Sequence, residues 1–353
     1  MASTSLAPAG AQTQTKTMKV MQVSREGGEF ELVERPIPKP GAQQVLIRVE
    51  ACGVCHSDMY VKEGGRLPVT YPRVPGHEVV GVIEQIGDGV THLKPGQRVG
   101  VGWHGGHDFT CDACRRGDFI NCDNKQVTGL SLDGGYGEYM IARAEAVALM
   151  PEDLNAVEAA PLLCAGVTTF NSLRNSGARA GDLVAILGIG GLGHLAVQFS
   201  RQMGFKTVAV SGGSDKKQLA LDLGAHFYID SEAQNPAEAL KQMGGAKVIL
   251  ATAPNSKVIS SVADGLASNG KMMIVGATAD GLDISPIQLI NGRRGLQGWA
   301  SGTAKDSEDT MNFSVLSGVR PMIEVYPLSK AQEAYTRMME NKARFRVVLK
   351  MNS

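Results

Sequence analysis

No apolar run in the chain approaches the roughly 18 residues that span a bilayer, so a membrane-crossing helix is not expected. A surplus of charge is lacking too: 35 Lys and Arg balance 35 Asp and Glu. That removes the electrostatic basis for a nucleic-acid or anionic-membrane partner. The first 17 residues, MASTSLAPAGAQTQTKT, have neither the apolar core of a secretory signal nor the arginines of a mitochondrial presequence. They read as a flexible tail, 1–17, with the ordered chain beginning near Met18. Without a secretory signal the expected location is cytoplasmic, where six cysteines favour metal ligation over disulfides. Internal repeats are absent as well.

Glycine is abundant, at 43 of 353 residues, which suits many tight turns and close backbone approaches. Up to about residue 150 the chain carries short strand-like runs broken by Gly and Pro. QQVLIRVEA, HEVVGVIEQIG, QRVGVGW and GEYMIARAEAVALMP are examples, and they imply a compact β domain. From about 165 the rhythm changes. LVAIL (183–187), KTVAV (206–210), HFYI (226–229), KVILA (247–251), KMMIV (271–275) and GLQGW (295–299) are short apolar strands, most of them separated by helix-length segments. That alternation predicts an α/β fold with a doubly wound parallel sheet. The last fifty residues leave the alternation and end in a strand-like FRVVLKM that can return to the first domain.

Gly188-x-Gly190-x-x-Gly193 follows the first of these strands and opens a helix, the context that a dinucleotide loop requires. Gly188 permits the turn, Gly190 lets backbone approach a pyrophosphate, and Gly193 packs helix on sheet; Gly191 and Leu192 complete the loop. An acidic residue is expected at the end of the second strand to hold the adenosine ribose of NAD(H). Ser211 stands there instead, followed by Gly212, Gly213, Ser214, Asp215 and Lys216. Ser211 and Gly212 leave room for a 2′-phosphate, free backbone N–H groups of Gly212 and Gly213 can face it, and Lys216 supplies positive charge, so NADP(H) is expected over NAD(H). The alternative is that Asp215 turns back to the ribose.

Cys52-Gly-Val-Cys55-His56 admits three readings: c-type haem attachment, a redox dithiol, or zinc ligation. Cys111-x2-Cys114-x7-Cys122 is more specific, because three thiols so close together suit a tetrahedral zinc. Its fourth ligand is Asp108 or the adjacent His107. His77, in a Gly-His-Glu triplet that opens a strand, and Cys164 are further candidate ligands.

CGVCHSDMY, PRVPGHEVVG, CDACRRGDFINC, APLLCAGVTTF and GIGGLG, in this order and spacing, resemble the zinc-dependent medium-chain alcohol dehydrogenases, most nearly the yeast-type and cinnamyl alcohol dehydrogenases. The resemblance covers about residues 18–353. It implies a GroES-like catalytic domain over 18–164 and 300–353, and a Rossmann domain over 165–299. It implies a catalytic zinc on Cys55, His77 and Cys164, with Cys52 outside the set, which excludes the haem and dithiol readings. Glu78 and Asp58 are then outer-sphere groups, Asp58 orienting His77. Ser57 is the proton carrier, His56 and Arg346 meet the pyrophosphate (Arg344 competes with Arg346), and Thr168 belongs to the cofactor site.

Two departures from the family pattern stand out. A structural zinc normally held by four cysteines would here have Asp108 with Cys111, Cys114 and Cys122. The histidine that ends the proton relay in many members is Tyr60 here, which leaves a ribose hydroxyl or water to finish it. The implied activity is hydride exchange between a nicotinamide cofactor and a small primary alcohol or aldehyde, in a homo-oligomer (dimer or tetramer). Tyr60, Trp103 and Trp299 are expected pocket walls. Rival readings are a polyol or secondary-alcohol dehydrogenase of the same fold and a non-catalytic NADPH-binding protein; a c-type cytochrome, the third, lacks a signal peptide and a second axial ligand.

Overall fold

The computed structural model describes residues 16–65 and 68–351. The chain opens with a hairpin of β1 (Thr17–Val23) and β2 (Phe30–Pro36). Thr17 already pairs with Pro36, so regular structure begins at the last residue of the expected tail. Residues 1–15 of that tail lie outside the described residues.

The next strands are β3 (Gln44–Val54), β4 (Val79–Ile86), β5 (Arg98–Val101), β6 (His104–Gly106), β7 (Gln126–Val127), β8 (Tyr139–Arg143) and β9 (Val147–Leu149). The two that close the chain are β16 (Ile323–Pro327) and β17 (Arg346–Lys350). Together they form a seven-stranded sheet in the order β16-β17-β3-β4-β5-β9, with β8 also pairing β3. Only β6 and β7 stand apart, as a small two-stranded unit. β3 is the organising strand. Its apolar, largely β-branched residues Val45, Ile47, Val49 and Val54 are almost wholly buried in one core, while Ala51 faces another. The C-terminal return expected from FRVVLKM is β17, antiparallel to β3 with Leu349 opposite Cys52.

Between these segments lies a six-stranded parallel sheet: β10 (Leu183–Leu187), β11 (Lys206–Ser211), β12 (Phe227–Asp230), β13 (Ala246–Ala251), β14 (Leu266–Ile274) and β15 (Gly295–Gly298). Its order is β12-β11-β10-β13-β14-β15, the doubly wound arrangement. β10 is buried at all five positions because helices cover both faces of the sheet. The helix Pro236–Gln242 shows how crossovers begin. Asn235 accepts hydrogen bonds from the N–H groups of Ala237 and Glu238, and Pro236 presets the first turn.

One core cluster joins the two sheets, running from Val80 and Val348 to Ile186, Ala209 and Phe199. Phe199 is fully buried, and its truncation to Ala should cost about 3–5 kcal/mol. Sequence order reverses between β10 and β13, so a crevice opens at the carboxyl ends of those strands, facing the first sheet. Among the described residues no helix is long and apolar enough to cross a membrane.

Candidate active site

Cys55 directly follows β3, at the head of a single turn His56–Asp58. The turn is fastened by Asp58, whose Oδ2 accepts from the Cys55 N–H at 2.9 Å. Cys164 closes the turn Ala160–Leu163 and starts the helix Ala165–Arg174. These two thiols, 109 residues apart in sequence, stand with their Sγ atoms 3.7 Å apart. His77 and Glu78 do not open β4 as expected. They sit in the approach to it, after Gly76 at φ 102°, and β4 begins at Val79. A Cβ on Gly76 would lie 2.4 Å from the Tyr136 ring, so only glycine fits there.

The ligand atoms of Cys55, His77, Glu78 and Cys164 all lie within 4.8 Å of one another. His77 Nδ1 is 3.2 Å from Asp58 Oδ1, and both side chains are almost wholly buried. His77 Nε2 is buried with no hydrogen-bond partner. A tetrahedral zinc with bonds of about 2.3 Å to sulfur requires about 3.8 Å between two thiolates. Two thiols at that spacing, and a buried imidazole nitrogen without a partner, fit a zinc ion.

Contact with Cys164 holds the Cys55 thiol well below its ordinary range, and the nearby His77 works in the same direction. Burial pushes the Glu78 carboxyl up to about 7, against the pull of Arg346. Arg346, the first residue of β17, forms a buried ion pair with Glu78. Arg344, its competitor in the sequence reading, is exposed and lies over the Phe345 ring. Cys52 points into the core instead, with its thiol raised by burial. Gly53 is glycine of necessity: a Cβ there would lie 1.9 Å from Glu78 Oε2.

Two partners in this site escaped the sequence reading. The Tyr136 hydroxyl donates to Asp58 Oδ2 at 2.8 Å, and the Trp103 ring meets the His77 ring edge-on at 4.9 Å between centroids. Trp103 is thus more than the pocket wall that the sequence predicts. Tyr136 lies in the Gly-Gly-Tyr-Gly-Glu segment, where glycines around a lone aromatic were the available signal.

A second cluster lies between β6 and β7. Ligand atoms of Asp108, Cys111, Cys114 and Cys122 fall within 4.8 Å of one another. Backbone N–H groups point at the sulfurs, from Cys114 to Cys111 Sγ at 3.5 Å and from Asp108 and Asn124 to Cys122 Sγ at 3.4 and 3.3 Å. The Cys114 N–H holds the Cys111 thiol below its ordinary range, toward the thiolate that binds metal. Asp108 Oδ1 accepts from the Cys111 and Thr110 N–H groups and Oδ2 from Asn124, holding the carboxyl well below its usual range. His107, the other candidate for fourth ligand, turns away: its ring stacks on Phe119 at 4.1 Å and its Nδ1 meets His104 Nε2 at 3.2 Å.

A cleft of about 2690 Å³ runs between the sheets. At one end it is lined by Cys55, His56, Ser57 and Cys164, with Tyr60, Trp103 and Trp299 as aromatic walls. Gly117–Asn121, between the ligands of the second cluster, also line it. Thr168, Arg346 and its competitor Arg344 also line it, as do Gly188, Gly190, Gly191 and Leu192 after β10, and Ser211, Gly212 and Lys216 at and beyond the end of β11. A Cβ on Gly193 would lie 1.9 Å from the Gly188 carbonyl, whereas one on Gly190 would meet nothing within 4 Å. The first glycine closes the turn and the second leaves its surface open to a ligand, a cradle that fits a pyrophosphate at the helix start. Lys216 lines the cleft and Asp215 does not. The Gly213 N–H expected to face a 2′-phosphate is already donated to Asp230 Oδ1 at 2.9 Å.

Comparison with known proteins agrees with this geometry. Residues 41–152 match the alcohol dehydrogenase GroES-like domain and residues 191–315 the zinc-binding dehydrogenase domain. The alcohol dehydrogenase patD of Penicillium expansum is 43% identical over 97% of this chain and 100% of its own. An alcohol dehydrogenase of Geobacillus stearothermophilus is 39% identical over 95% of this chain and 100% of its own. Among solved structures, a Sorghum bicolor cinnamyl alcohol dehydrogenase superposes with a TM-score of 0.85 at 30% identity, covering 95% of this chain and 98% of its own. The Helicobacter pylori CAD complexed with NADP(H) gives 0.83 at 28% identity over the same shares.

Proposed function

The chain belongs to the zinc-containing medium-chain alcohol dehydrogenase family, and from that footing we propose that it interconverts primary alcohols and aldehydes with NADP(H) as the favoured cofactor. Its class is oxidoreductase acting on CH–OH groups with a nicotinamide cofactor. The observation that carries the proposal is the meeting of Cys55 Sγ, Cys164 Sγ and the unpartnered His77 Nε2 at one end of a cleft that the glycine loop also lines.

In this reading Cys55, His77 and Cys164 hold the catalytic zinc, and Asp108, Cys111, Cys114 and Cys122 a structural one. Catalytic zinc supplies a Lewis acid that lowers the pKa of a bound hydroxyl or polarises a carbonyl. A nicotinamide bound in the cleft would supply the hydride acceptor or donor. Asp58 fixes the His77 tautomer, so that Nε2 faces the two cysteines. Ser57 takes the substrate proton and passes it to a ribose hydroxyl or water, because Tyr60 offers no imidazole. Tyr60, Trp103 and Trp299 keep water from the reacting carbon and favour apolar primary substrates over polyols.

His56, Thr168 and Arg346 bind the cofactor together with the glycine loop, Arg346 bracing Glu78 at the same time. Ser211, Gly212 and Lys216 receive the 2′-phosphate. The likeness to a relative complexed with NADP(H) supports that preference. We assign residues 18–164 and 300–353 to the catalytic domain and 165–299 to the cofactor domain. Five of six cysteines gather in the two clusters, which suits a reducing, cytoplasmic setting. Ile287 and Ile290, 57% and 68% exposed near the edge strand β15, offer an apolar face to a second copy in a homo-oligomer.

Steady-state kinetics over primary, secondary and polyhydric alcohols and their carbonyl partners, with both cofactors and measured zinc content, tests the proposal. The highest kcat/KM is expected for primary substrates with NADPH. A zinc-replete enzyme that prefers polyols or secondary alcohols would overturn the substrate assignment, and one without turnover the catalytic one.

A further inference from the structure

The adenosine end of the cleft carries an acid that no part of the glycine-loop pattern points to. β11 ends at Ser211, and β12 runs parallel beside it with Asp230 opposite Ser211. The loop leaving β11 therefore runs beside the loop leaving β12. Asp230 fastens the two loops together, because its Oδ1 accepts from the N–H groups of both Gly213 and Glu232 at 2.9 Å. This bridge places the Glu232 side chain over Gly212, where a Cβ would lie 2.6 Å from Glu232 Oε1. Glu232 is exposed and lines the cleft with Ser211, Gly212 and Lys216. Among the described residues its carboxylate has no ion-pair partner and accepts no hydrogen bond. Asp215, the acid nearer in sequence, is exposed outside the cleft.

We propose that Glu232, reaching in from the third strand of the parallel sheet, supplies the acid missing from the end of β11 and limits the preference for NADP(H). The inference rests on the reading of this cleft as a dinucleotide site with Lys216 beside the 2′-phosphate. Ionised, Glu232 accepts hydrogen bonds from the ribose hydroxyls of NAD(H) and repels the 2′-phosphate of NADP(H). Lys216 pulls the other way. With both charges at one mouth, the two cofactors are both accepted, and their ratio depends on the balance between Glu232 and Lys216. Removing the carboxylate charge leaves Lys216 unopposed.

The test is binding rather than turnover. Adenosine 2′,5′-bisphosphate and 5′-AMP are titrated calorimetrically into the full-length protein, its E232Q variant and its K216A variant, with thermal melts as folding controls. A carboxylate and a phosphate of about −1.5 to −2 charge, roughly 5 Å apart near a wet surface, repel enough to change affinity about tenfold. E232Q is therefore expected to raise the preference for the bisphosphate over 5′-AMP about tenfold. A ratio unchanged in a folded E232Q variant overturns the assignment of Glu232. If wild type prefers 5′-AMP, or K216A leaves the bisphosphate affinity intact, while E232Q still shifts the ratio, Glu232 stands and the NADP(H) preference falls.

Discussion

His77 Nδ1 lies 3.2 Å from Asp58 Oδ1, and that contact decides which ring nitrogen faces Cys55 and Cys164. Asp58 has no freedom to turn away, because its Oδ2 accepts from the Cys55 N–H and the Tyr136 hydroxyl. Loss of an outer-sphere partner of a metal-bound histidine typically costs 10–100-fold in metal affinity or activity. Asp58→Asn should therefore weaken zinc retention by about 10–100-fold in a chelator competition. Tyr136→Phe, which keeps the ring and the carboxylate charge, should weaken it less. Equal retention in wild type and Asp58→Asn would show that His77 needs no orienting group.

Cys164→Ser should abolish turnover while leaving the fold largely intact. A hydroxyl is a poor ligand beside a thiolate, and the parallel sheet does not depend on that sulfur. Bound zinc should fall by about one equivalent per chain. A metal-quantified variant with undiminished activity would remove Cys164 from the site.

Asp108→Ala should lower thermal stability and the retention of a second zinc more than it lowers initial activity. Asp108 is fixed by the Cys111 N–H and by Asn124, and the lobe it belongs to has few buried apolar residues of its own. Asp108→Cys restores the four-thiol pattern and should retain zinc at least as well. A zinc-edge anomalous map with one site per chain, or with a second site lacking Asp108, would count against this assignment.

The groups that speak through local spacing were legible in the sequence. The glycine loop, the three thiols of Cys111, Cys114 and Cys122, and the six strands each announce themselves within a dozen residues or so. The return of β17 to β3 could also be read, from a terminal apolar run with no partner of its own. Contacts set by long-range register could not. Tyr136 reaches Asp58 across 78 residues, and Glu232 reaches Gly212 only because β11 and β12 pair with Ser211 opposite Asp230. The Gly213 N–H is likewise spent on an acceptor, Asp230, that sits on the neighbouring strand.

His194 gives a pH prediction. It is fully buried, with Nε2 accepting from the Met322 N–H at 3.2 Å, so Nδ1 carries the hydrogen and donates to the Gly190 carbonyl at 2.9 Å. Burial lowers its pKa to about 4, and the charge of Arg346 adds to the shift. Between about 6.5 and 4 the unfolded chain binds this proton and the native one does not, so stability falls as pH drops through that window. It is fully present above about 6.5 and levels off below 4, a difference of about 3 kcal/mol at most. His194→Gln should flatten the difference in melting temperature between pH 7 and pH 4.5. An equal slope in both proteins would mean that His194 titrates normally.

Ser211 occupies the position where an acid would hold the ribose of NAD(H), and Lys216 lines the cleft a few residues on. Hydrogen bonds to charged groups are worth about 1.5–3 kcal/mol, so one contact from Lys216 to a 2′-phosphate corresponds to about tenfold or more in kcat/KM. Lys216→Ala should lower kcat/KM for NADPH by about that factor and leave NADH nearly unchanged. Ser211→Asp should reverse the preference, because it sets a carboxylate under the 2′-phosphate and gives the ribose hydroxyls of NADH an acceptor. The new acid stands beside Glu232, and the two repel the 2′-phosphate together, so the loss with NADPH should exceed the gain with NADH. Unchanged NADPH kinetics in both variants would place the 2′-phosphate away from β11 and leave the NADP(H) preference without a structural basis.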